Sequence, residues 1–390
     1  MNVKKILGLI CLIFSLTTTL SAQQLSDESK VYLLTIAPGA ELWSFAGHTA
    51  IRVKDPVQNI DVNFNYGVFD FRTESFYFKF LRGTLPYQIG AYNFNQEVPY
   101  WFEEGRTVTA QELNLTLGQK QRVYDYLMNN YQPENREYKY KFFYDNCSSR
   151  VRDVMKTALG DSLQFDSTLN NDRSFRSWIR EYSQKSQNYW SEFGMDILIG
   201  IPSDEITGAE RAMFLPDNLM HAFDSATVVR NDSIVPFVAN KVNLNQGTLM
   251  SEASPIRPFA FFSFIFLILA LFTFREFQHK VWFMVFDKIY FSLMGLFGLF
   301  LVFLWFFTDH GVTSYNLNLL WCLPIVLPAA IVMKRHDLKQ WIKTVFLIQT
   351  VAALIYILGF NFLHQQFHIA TLPIAAITLV RSALIWRKQR

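Results

Sequence analysis

The sequence predicts an α+β exported domain followed by an α-helical transmembrane bundle. Hydrophobic residues make up 51% of the 390-residue chain and charged residues 18%, whereas an average soluble domain carries about 25% charged residues. The charge also divides along the chain. Residues 23–255 contain 22 Lys and Arg against 29 Asp and Glu, and residues 259–390 contain 11 against 4. This division excludes a single globular domain, and the acidic water-soluble part excludes a basic nucleic-acid binder.

The N-terminus has the pattern of a secretory signal. Lys4 and Lys5 precede a mostly apolar stretch over 6–20, and Ser21 and Ala22 form a small-residue cleavage site. We therefore predict a signal peptide over residues 1–22. An uncleaved anchor helix is the alternative, and either one would carry residues 23–255 out of the cytoplasm.

The exported domain, residues 23–255, is long enough to build its own core. β-branched and aromatic residues bounded by turn residues predict three strands, over 31–36, 48–53 and 60–66. Apolar residues at helical spacing predict a helix over 117–131 and another that begins at Cys147, with Asp145 and Asn146 as capping candidates.

Residues 256–390 form the predicted transmembrane domain. A membrane-spanning helix needs about 20 apolar residues, and the chain contains five candidate runs, at 259–274, 289–307, 317–333, 344–363 and 369–386. Arg381 interrupts the last run, and we expect its side chain to extend towards the cytoplasmic edge of the bilayer.

The basic residues predict the orientation of these spans. If residues 23–255 are exported, the loops after spans one and three and the C-terminal tail face the cytoplasm. Those segments contain every Lys and Arg beyond residue 259 except Arg381, which lies near the cytoplasmic end of the last run, and the opposite loops, 309–316 and 364–368, contain none. This is the positive-inside pattern. It predicts a multi-pass protein of the inner (cytoplasmic) membrane with a cytoplasmic C-terminus.

Cysteine usage points to a candidate nucleophile. Of the three cysteines, Cys11 belongs to the signal and Cys322 to the third span, so Cys147 is alone in the exported domain. It has no partner there for a disulfide. A small buried packing residue is one interpretation. However, its neighbours are polar, and the start of a helix stabilises a thiolate, so we favour a nucleophile.

A nucleophilic cysteine requires a base, which is usually histidine. His48 follows Gly47, which permits close approach of another backbone segment, and opens a predicted strand. His221 lies in an apolar stretch and is the weaker candidate. A third group should orient the imidazole, and the next strand offers four that the sequence does not separate, namely Asp61, Asn63, Asn65 and Tyr66.

The motifs of common metal and cofactor sites are not present in the sequence. There is no Cys-x-x-Cys, no His-x-x-x-His and no clustered carboxylate set with ligand spacing. A Gly-rich phosphate loop is also missing. We therefore expect neither a metal nor a cofactor.

Four short segments of the sequence together resemble a known family. Residues 45–49 (Phe-Ala-Gly-His-Thr), 65–67 (Asn-Tyr-Gly), 69–71 (Phe-Asp-Phe) and 144–150 (Tyr-Asp-Asn-Cys-Ser-Ser-Arg) are similar to the periplasmic domain of the Lnb-type lipoprotein N-acyltransferases. That domain in turn resembles the circularly permuted papain-like cysteine enzymes, relatives of lecithin–retinol acyltransferase. The resemblance covers roughly residues 30–230.

The resemblance implies roles for particular residues. Cys147 would be the nucleophile that accepts the acyl chain, and His48 its base. Asp145, Asn146, Tyr66 and Gly47 occupy positions in the family's motifs and would support them.

The implied activity is transfer of an acyl chain from a glycerolipid ester, through a thioester, to the α-amino group of a lipoprotein's N-terminal cysteine. The expected partners are membrane lipoproteins and glycerolipids, and the donor is either the lipoprotein itself or a phospholipid. A cell-envelope hydrolase with the same Cys–His pair is the first alternative, and a non-catalytic receptor or assembly factor is the second. Four aromatic residues are candidates for an acyl groove, namely Trp101, Phe102, Tyr189 and Trp190.

Overall fold

The structure is a computed structural model that describes residues 23–39, 41, 44–169, 172–185, 187–247, 254–279, 281–334 and 337–388. The predicted signal peptide, residues 1–22 with Cys11, lies outside the described residues. The domain boundaries predicted from the sequence therefore stay predictions. An α+β part comes first along the chain and a helical part second, as the sequence predicts.

An antiparallel sheet forms the centre of the N-terminal part. Within the described residues it contains seven strands in the order β10-β5-β1-β2-β3-β4-β6, and β7, β8 and β9 form a second, smaller sheet. The strands are β1 (Lys30–Ile36), β2 (His48–Asp55), β3 (Ile60–Val68), β4 (Pro86–Asn93), β5 (Val108–Leu113), β6 (Glu137–Lys139), β7 (Leu163–Gln164), β8 (Thr227–Arg230), β9 (Ser233–Pro236) and β10 (Val238–Asn245). The three predicted strands correspond to β1, β2 and β3.

Helices cover this sheet and its edges. They are α1 (Phe76–Leu81), α2 (Phe94–Glu103), α3 (Leu117–Tyr131), α4 (Cys147–Leu159), α5 (Phe175–Lys185), α6 (Tyr189–Leu198), α7 (Gly208–Ala212) and α8 (Pro216–Ser225). The apolar face of α4 packs on β2 and β3, with Val151 and Met155 fully buried beside Ile51 and Phe64. The start of α4 is thereby held against the middle of the sheet.

The β1–β2–β3 hairpins bring the candidate site residues to one end of the sheet. His48 pairs with Ile36 across β1 and β2, and Asn65 pairs with Ala50 across β2 and β3. Gly47 turns the chain into β2 with φ +77°, and a Cβ there would lie 2.7 Å from the carbonyl oxygen of Ile36. This position therefore requires glycine, both for its backbone conformation and for space.

The C-terminal part is helical, and long apolar helices dominate it. Within the described residues, three helices are long and apolar enough to cross a membrane: α9 (Pro258–His279), α10 (Met284–Phe306) and α12 (Gln340–Gly359). α13 (Thr371–Arg387) is a shorter helix that packs against α12 and α9. The predicted third span is a 3₁₀ turn, Leu317–Trp321, followed by the short α11 (Val326–Val332). The count of five spans therefore stays a prediction.

A buried glutamine bonds the backbone groups where the third apolar segment breaks. Pro324 and Pro328 lie in or beside the break, and proline lacks the N–H that a helix needs. Gln349 of α12 accepts a hydrogen bond from the N–H of Leu323 at 3.0 Å and donates one to the carbonyl of Leu320 at 3.0 Å. Non-helical backbone is tolerated at membrane depth where protein groups bond it in this way.

The expectation that Arg381 extends towards the bilayer edge is wrong. Its guanidinium is buried between α9, α10 and α13, where Nε and Nη2 contact the Asp287 carboxylate at 2.7 and 2.8 Å and Nη1 pairs with Glu276. Trp282 donates a further hydrogen bond to Asp287 at 2.8 Å. Extension to the edge does not occur because two carboxylates within reach replace the water that the guanidinium would otherwise seek.

This cluster yields a stability prediction. Arg381→Met would leave the Asp287 carboxylate buried without its cation and would leave Glu276 only the longer contact with Lys388 at 3.9 Å, and the loss of one partner of a buried ion pair typically costs about 3–5 kcal/mol. We expect a marked fall in the unfolding temperature of the full chain in detergent micelles. Arg387→Met is the matched control, since Arg387 is exposed on the same helix. Equal unfolding temperatures for the two variants would show that the cluster does not stabilise the bundle.

The N-terminal part is docked on the loop that follows α10. The N–H of Gly200 bonds the carbonyl of Val312 at 2.8 Å, and the Asn316 amide donates to the carbonyl of Ile197 at 2.8 Å. Lys141 forms an ion pair with Asp309 at 3.1 Å. These contacts place the candidate site beside the end of an apolar helix.

Candidate active site

Cys147 is the first residue of α4, and Asn146 caps that helix. The Asn146 side-chain oxygen accepts hydrogen bonds from the N–H groups of Ser148 and Ser149, both at 2.9 Å, and the Ser149 hydroxyl accepts one from the N–H of Asn146. The Asn146 amide also donates to the carbonyls of Phe142 and Phe214 at 2.8 and 2.7 Å. The residue before the candidate nucleophile thus ties the helix start to two loops.

The thiol of Cys147 is buried, which changes the electrostatic expectation. Burial raises the pKa of Cys147 above its ordinary value, and the N–H groups of Thr49, Ser148 and Cys147 only partly oppose that rise. The helix start therefore does not by itself produce a thiolate, and removal of the proton requires a base. The hydroxyls of Thr49 and Ser148 meet at 2.8 Å and join β2 to α4 beside the thiol.

His48 is oriented by a chain of two polar side chains. Its Nε2 lies 2.8 Å from Oδ1 of Asn65. Nδ2 of Asn65 donates to both oxygens of Glu97 at 3.1 Å, and Nδ2 of Asn63 donates to the same carboxylate at 2.9 Å. A carboxylate only accepts hydrogen bonds, so Asn65 must present its oxygen to His48. Nε2 then carries the proton, and Nδ1 is the basic nitrogen.

Burial also determines the protonation state of the imidazole. It lowers the pKa of His48 from 6.5 to about 4, and Arg106 lowers it further, while the hydrogen bond to Asn65 acts in the opposite direction. At neutral pH both His48 and Cys147 are therefore uncharged. This resting pair suits a reaction in which the imidazole accepts a proton as the sulfur attacks.

Cys147 and His48 line one cavity of about 460 Å³, a size usual for small-molecule sites. Phe and Tyr are its commonest lining residues, and the segment between β3 and β4 contributes the largest group, followed by the 140–147 loop. The membrane domain completes it through His310 and Val312. The cavity therefore combines a polar reactive end with an apolar interior beside the membrane helices.

The other predicted site residues have distinct positions. Gly47, Tyr66 and Asn146 also line the cavity, and the Tyr66 hydroxyl bonds Asn130 at 3.2 Å. Asp145 does not line it. Its carboxylate instead holds Arg150 through bonds of 2.6 and 2.8 Å, and that guanidinium lies 3.6 Å from the centre of the Tyr138 ring.

Several expectations from the sequence differ from the structure. None of Trp101, Phe102, Tyr189 and Trp190 lines the cavity. Trp101 packs under the sheet, and Trp190 packs on Phe261 and Phe262 of α9.

The sequence analysis did not identify two features of the site. One is the aromatic lining from the segment 69–80, although the six Phe and Tyr residues of that segment are a visible signal. Glu97 was missed because no local pattern links it to a histidine 49 positions earlier. His221 is exposed on α8, away from the cavity.

No metal site is formed by the residues that the structure describes, among which no group of three or more His, Cys, Asp or Glu side chains could hold an ion. That the reaction needs neither metal nor cofactor stays a prediction.

Two family models match the chain. A model of the Lnb N-terminal periplasmic domain matches residues 18–184, and a model of the Lnb transmembrane domain matches residues 250–390. The chain has the two-domain architecture of the Lnb family. No curated protein and no solved structure matches the chain.

The Lnb match determines the coarse character of the protein. It is a multi-pass membrane protein with a periplasmic N-terminal domain, and it is consistent with an enzyme that works at the membrane. Cys147, His48 and Asn65 all lie within the region matched by the Lnb N-terminal domain. The first match ends at residue 184 and the second begins at residue 250. Helices α6 to α8 lie between the two matched regions, and so do Ile197 and Gly200, which contact the membrane domain.

Proposed function

We propose that this Lnb protein is a membrane-bound lipoprotein N-acyltransferase of the inner membrane, with Cys147 as nucleophile and His48 as base. One observation carries the proposal. A buried thiol and a neutral, oriented imidazole share an apolar cavity that the membrane domain completes. An apolar cavity suits an acyl chain, and the Cys–His–Asn constellation is one that acyl-transfer enzymes use.

The first half-reaction forms a thioester. Nδ1 of His48 accepts the Cys147 thiol proton while Sγ attacks the ester carbonyl of a glycerolipid. The tetrahedral intermediate collapses, the ester C–O bond breaks, and the glycerol oxygen takes the proton that His48 holds. The products are S-acyl Cys147 and a lysolipid, and the site carries no net change in charge.

The second half-reaction forms an amide. The α-amino group of the lipoprotein's N-terminal cysteine attacks the thioester carbonyl and loses a proton to Nδ1 of His48. The C–S bond breaks, and the departing sulfur of Cys147 regains that proton. The free thiol and the neutral imidazole are restored, so the enzyme is ready for another cycle.

Backbone N–H groups stabilise the negative oxygen in both intermediates. The N–H groups of Cys147 and Thr49 lower the pKa of the Cys147 thiol, and the positive end of the α4 dipole favours negative charge there. One such donor typically contributes about 2.7–4 kcal/mol to the transition state. The helix start therefore acts on the oxyanion, even though burial keeps the resting thiol protonated.

The test uses the full chain in liposomes with a diacylglyceryl lipopeptide as acceptor. The donor is either the lipopeptide itself or an isotopically labelled phospholipid, and mass spectrometry follows the N-acyl amide and the lysolipid. We expect amide formation at the rate of lysolipid formation. Release of free fatty acid without amide would overturn the proposal in favour of a hydrolase, and the lack of either product would favour a non-catalytic role.

The acid limit of activity should reflect the pKa of His48. Because burial lowers that pKa to about 4, kcat/KM for the glycerolipid donor, which is consumed before the amine enters, should stay level down to about pH 5.5 and fall only near pH 4. A fall in this kcat/KM centred near pH 6.5 would contradict the prediction.

The stability of the fold should depend on the protonation of His48 in the same direction. The unfolded chain binds the proton more readily, so the contribution of neutral His48 is complete above about pH 6.5 and is lost towards pH 4.

A further inference from the structure

The helix α1, with the sequence Phe-Tyr-Phe-Lys-Phe-Leu, exposes a continuous apolar surface. Tyr77 is 81% exposed, Phe78 57%, Phe80 49% and Leu81 37%. No residue of α1 is buried. Large aromatic side chains grouped in this way on a monomer mark a surface that contacts a membrane or another molecule.

The same helix is also a wall of the cavity. Phe76, Tyr77 and Phe80 line it together with Phe69 and Tyr87. Their rings contact one another, with Phe76 and Phe80 stacked at a centroid distance of 6.2 Å and Phe69 against Tyr87 at 5.5 Å. A layer one side chain thick therefore separates the cavity from the exposed surface of α1.

The end of α1 is joined to the end of the membrane helix α10. The N–H of Asp309 bonds the carbonyl of Arg82 at 2.7 Å, and Nε2 of His310 lies 2.9 Å from the carbonyl of Leu81. Nε of Arg82 donates to the carbonyl of Phe307 at 3.3 Å. These three bonds place the last turn of α1 at the level where the apolar residues of α10 end.

Two observations identify what covers this surface. Phe306 and Phe307, at the end of α10, are 65% and 62% exposed, so the surface of α1 is continuous with the lipid-facing surface of a membrane helix. Two basic residues lie at the same place, Lys79 in the last turn of α1 and Arg82 directly after it. Aromatic residues concentrate at membrane interfaces, and lysine and arginine there contact phosphate headgroups.

We infer that α1 inserts into the outer leaflet and is the portal through which a glycerolipid acyl chain passes sideways from the bilayer into the cavity. The lipid phosphate would lie near Lys79 and Arg82 while the chain passes along the rings of Phe76 and Phe80. The same opening would return the lysolipid to the membrane. The insertion rests on the position of α1, and the identity of the transferred chain rests on the proposed function.

Photocrosslinking tests the insertion without requiring catalysis. Phe78 is replaced by p-benzoylphenylalanine in the full chain, which is reconstituted in vesicles of phosphatidylethanolamine and phosphatidylglycerol with a radiolabelled tracer. The matched control is the same replacement at Val57, which is 60% exposed in the turn at the end of β2 opposite His48. We expect lipid labelling at position 78 to exceed that at position 57 at least about tenfold. Equal labelling would overturn the inference.

A kinetic comparison tests passage through the portal. Phe78→Glu should lower the rate with a bilayer donor about tenfold, which corresponds to about 1.4 kcal/mol, and leave hydrolysis of a water-soluble short-chain ester unchanged. Val57→Glu should change neither rate. If Phe78→Glu lowers both rates equally, α1 supports the site structurally and the portal is overturned.

The two proposals fail separately. If position 78 is labelled by lipid and no N-acyl amide forms, the acyltransferase is overturned and the portal stands. If the amide forms and position 78 is not labelled by lipid, the acyltransferase stands and the portal is overturned, because the chain would then reach Cys147 by another route.

Discussion

Replacement of Cys147 by alanine is expected to reduce N-acylation by about 10⁴-fold or more, the loss seen when a catalytic nucleophile is removed. Alanine leaves the Asn146 cap and the packing of α4 unchanged, so the fold should survive. Cys147→Ser should also lose at least about 10³-fold. A hydroxyl is harder to deprotonate than a thiol, and burial makes His48 a weak base with a pKa of about 4.

The measurement is the rate of N-acyl amide formation in liposomes, together with the mass of the intact protein after exposure to the donor. Wild type should carry one acyl group as a thioester that hydroxylamine removes. Cys322→Ala is the matched control, because Cys322 is also buried but lies in the membrane domain. Wild-type rates in Cys147→Ala would exclude Cys147 as the nucleophile.

Asn65→Leu is expected to lower kcat about 10²-fold, because general-base catalysis contributes about 10²–10⁴-fold and depends on the orientation of the imidazole. Leucine is similar in size but cannot accept the Nε2 proton of His48. Glu97→Gln should lower kcat about tenfold through Asn65. The glutamine amide can offer a donor where the carboxylate only accepts, so the Asn65 amide is then able to rotate and present its nitrogen to His48.

Histidine nitrogen shifts in NMR spectra distinguish orientation from general damage. In the wild type Nε2 of His48 should carry the proton, and Glu97→Gln should shift that balance towards Nδ1. Glu103→Gln, an exposed position on the same helix, is the matched control and should alter neither kcat nor the spectra. A fall in kcat with unchanged histidine shifts would show that Glu97 stabilises the fold and does not position His48.

Local signals predicted much of the architecture. The predicted helix over 117–131 matches α3, and the second helix begins at Cys147, because Thr116 and Asn146 cap those helices with their own side chains. β1, β2 and β3 lie within two residues of the predicted strands, since turn residues bound them. The isolation of Cys147 likewise needed only a count of cysteines and a division of the chain.

The choice of the third group needed strand register. Of the four candidates, Asn65 pairs with Ala50, which places its side chain diagonally next to His48 on one face of the sheet. Asn63 and Asp61 pair with Arg52 and Lys54, farther along β2. No local rule determines which residues of two strands face each other, because that depends on how the connecting turn closes.

Composition and spacing alone determined that this chain is a membrane protein with an exported α+β domain, and they singled out Cys147 and His48. Only the tertiary structure decided that Asn65 and Glu97 orient His48, that burial keeps the thiol protonated, and that aromatic residues of α1 line the cavity. The physical reason is the separation in sequence over which each interaction acts. Capping, hydropathy and alternation act between near neighbours in sequence, whereas desolvation and hydrogen bonding join residues that folding brings together.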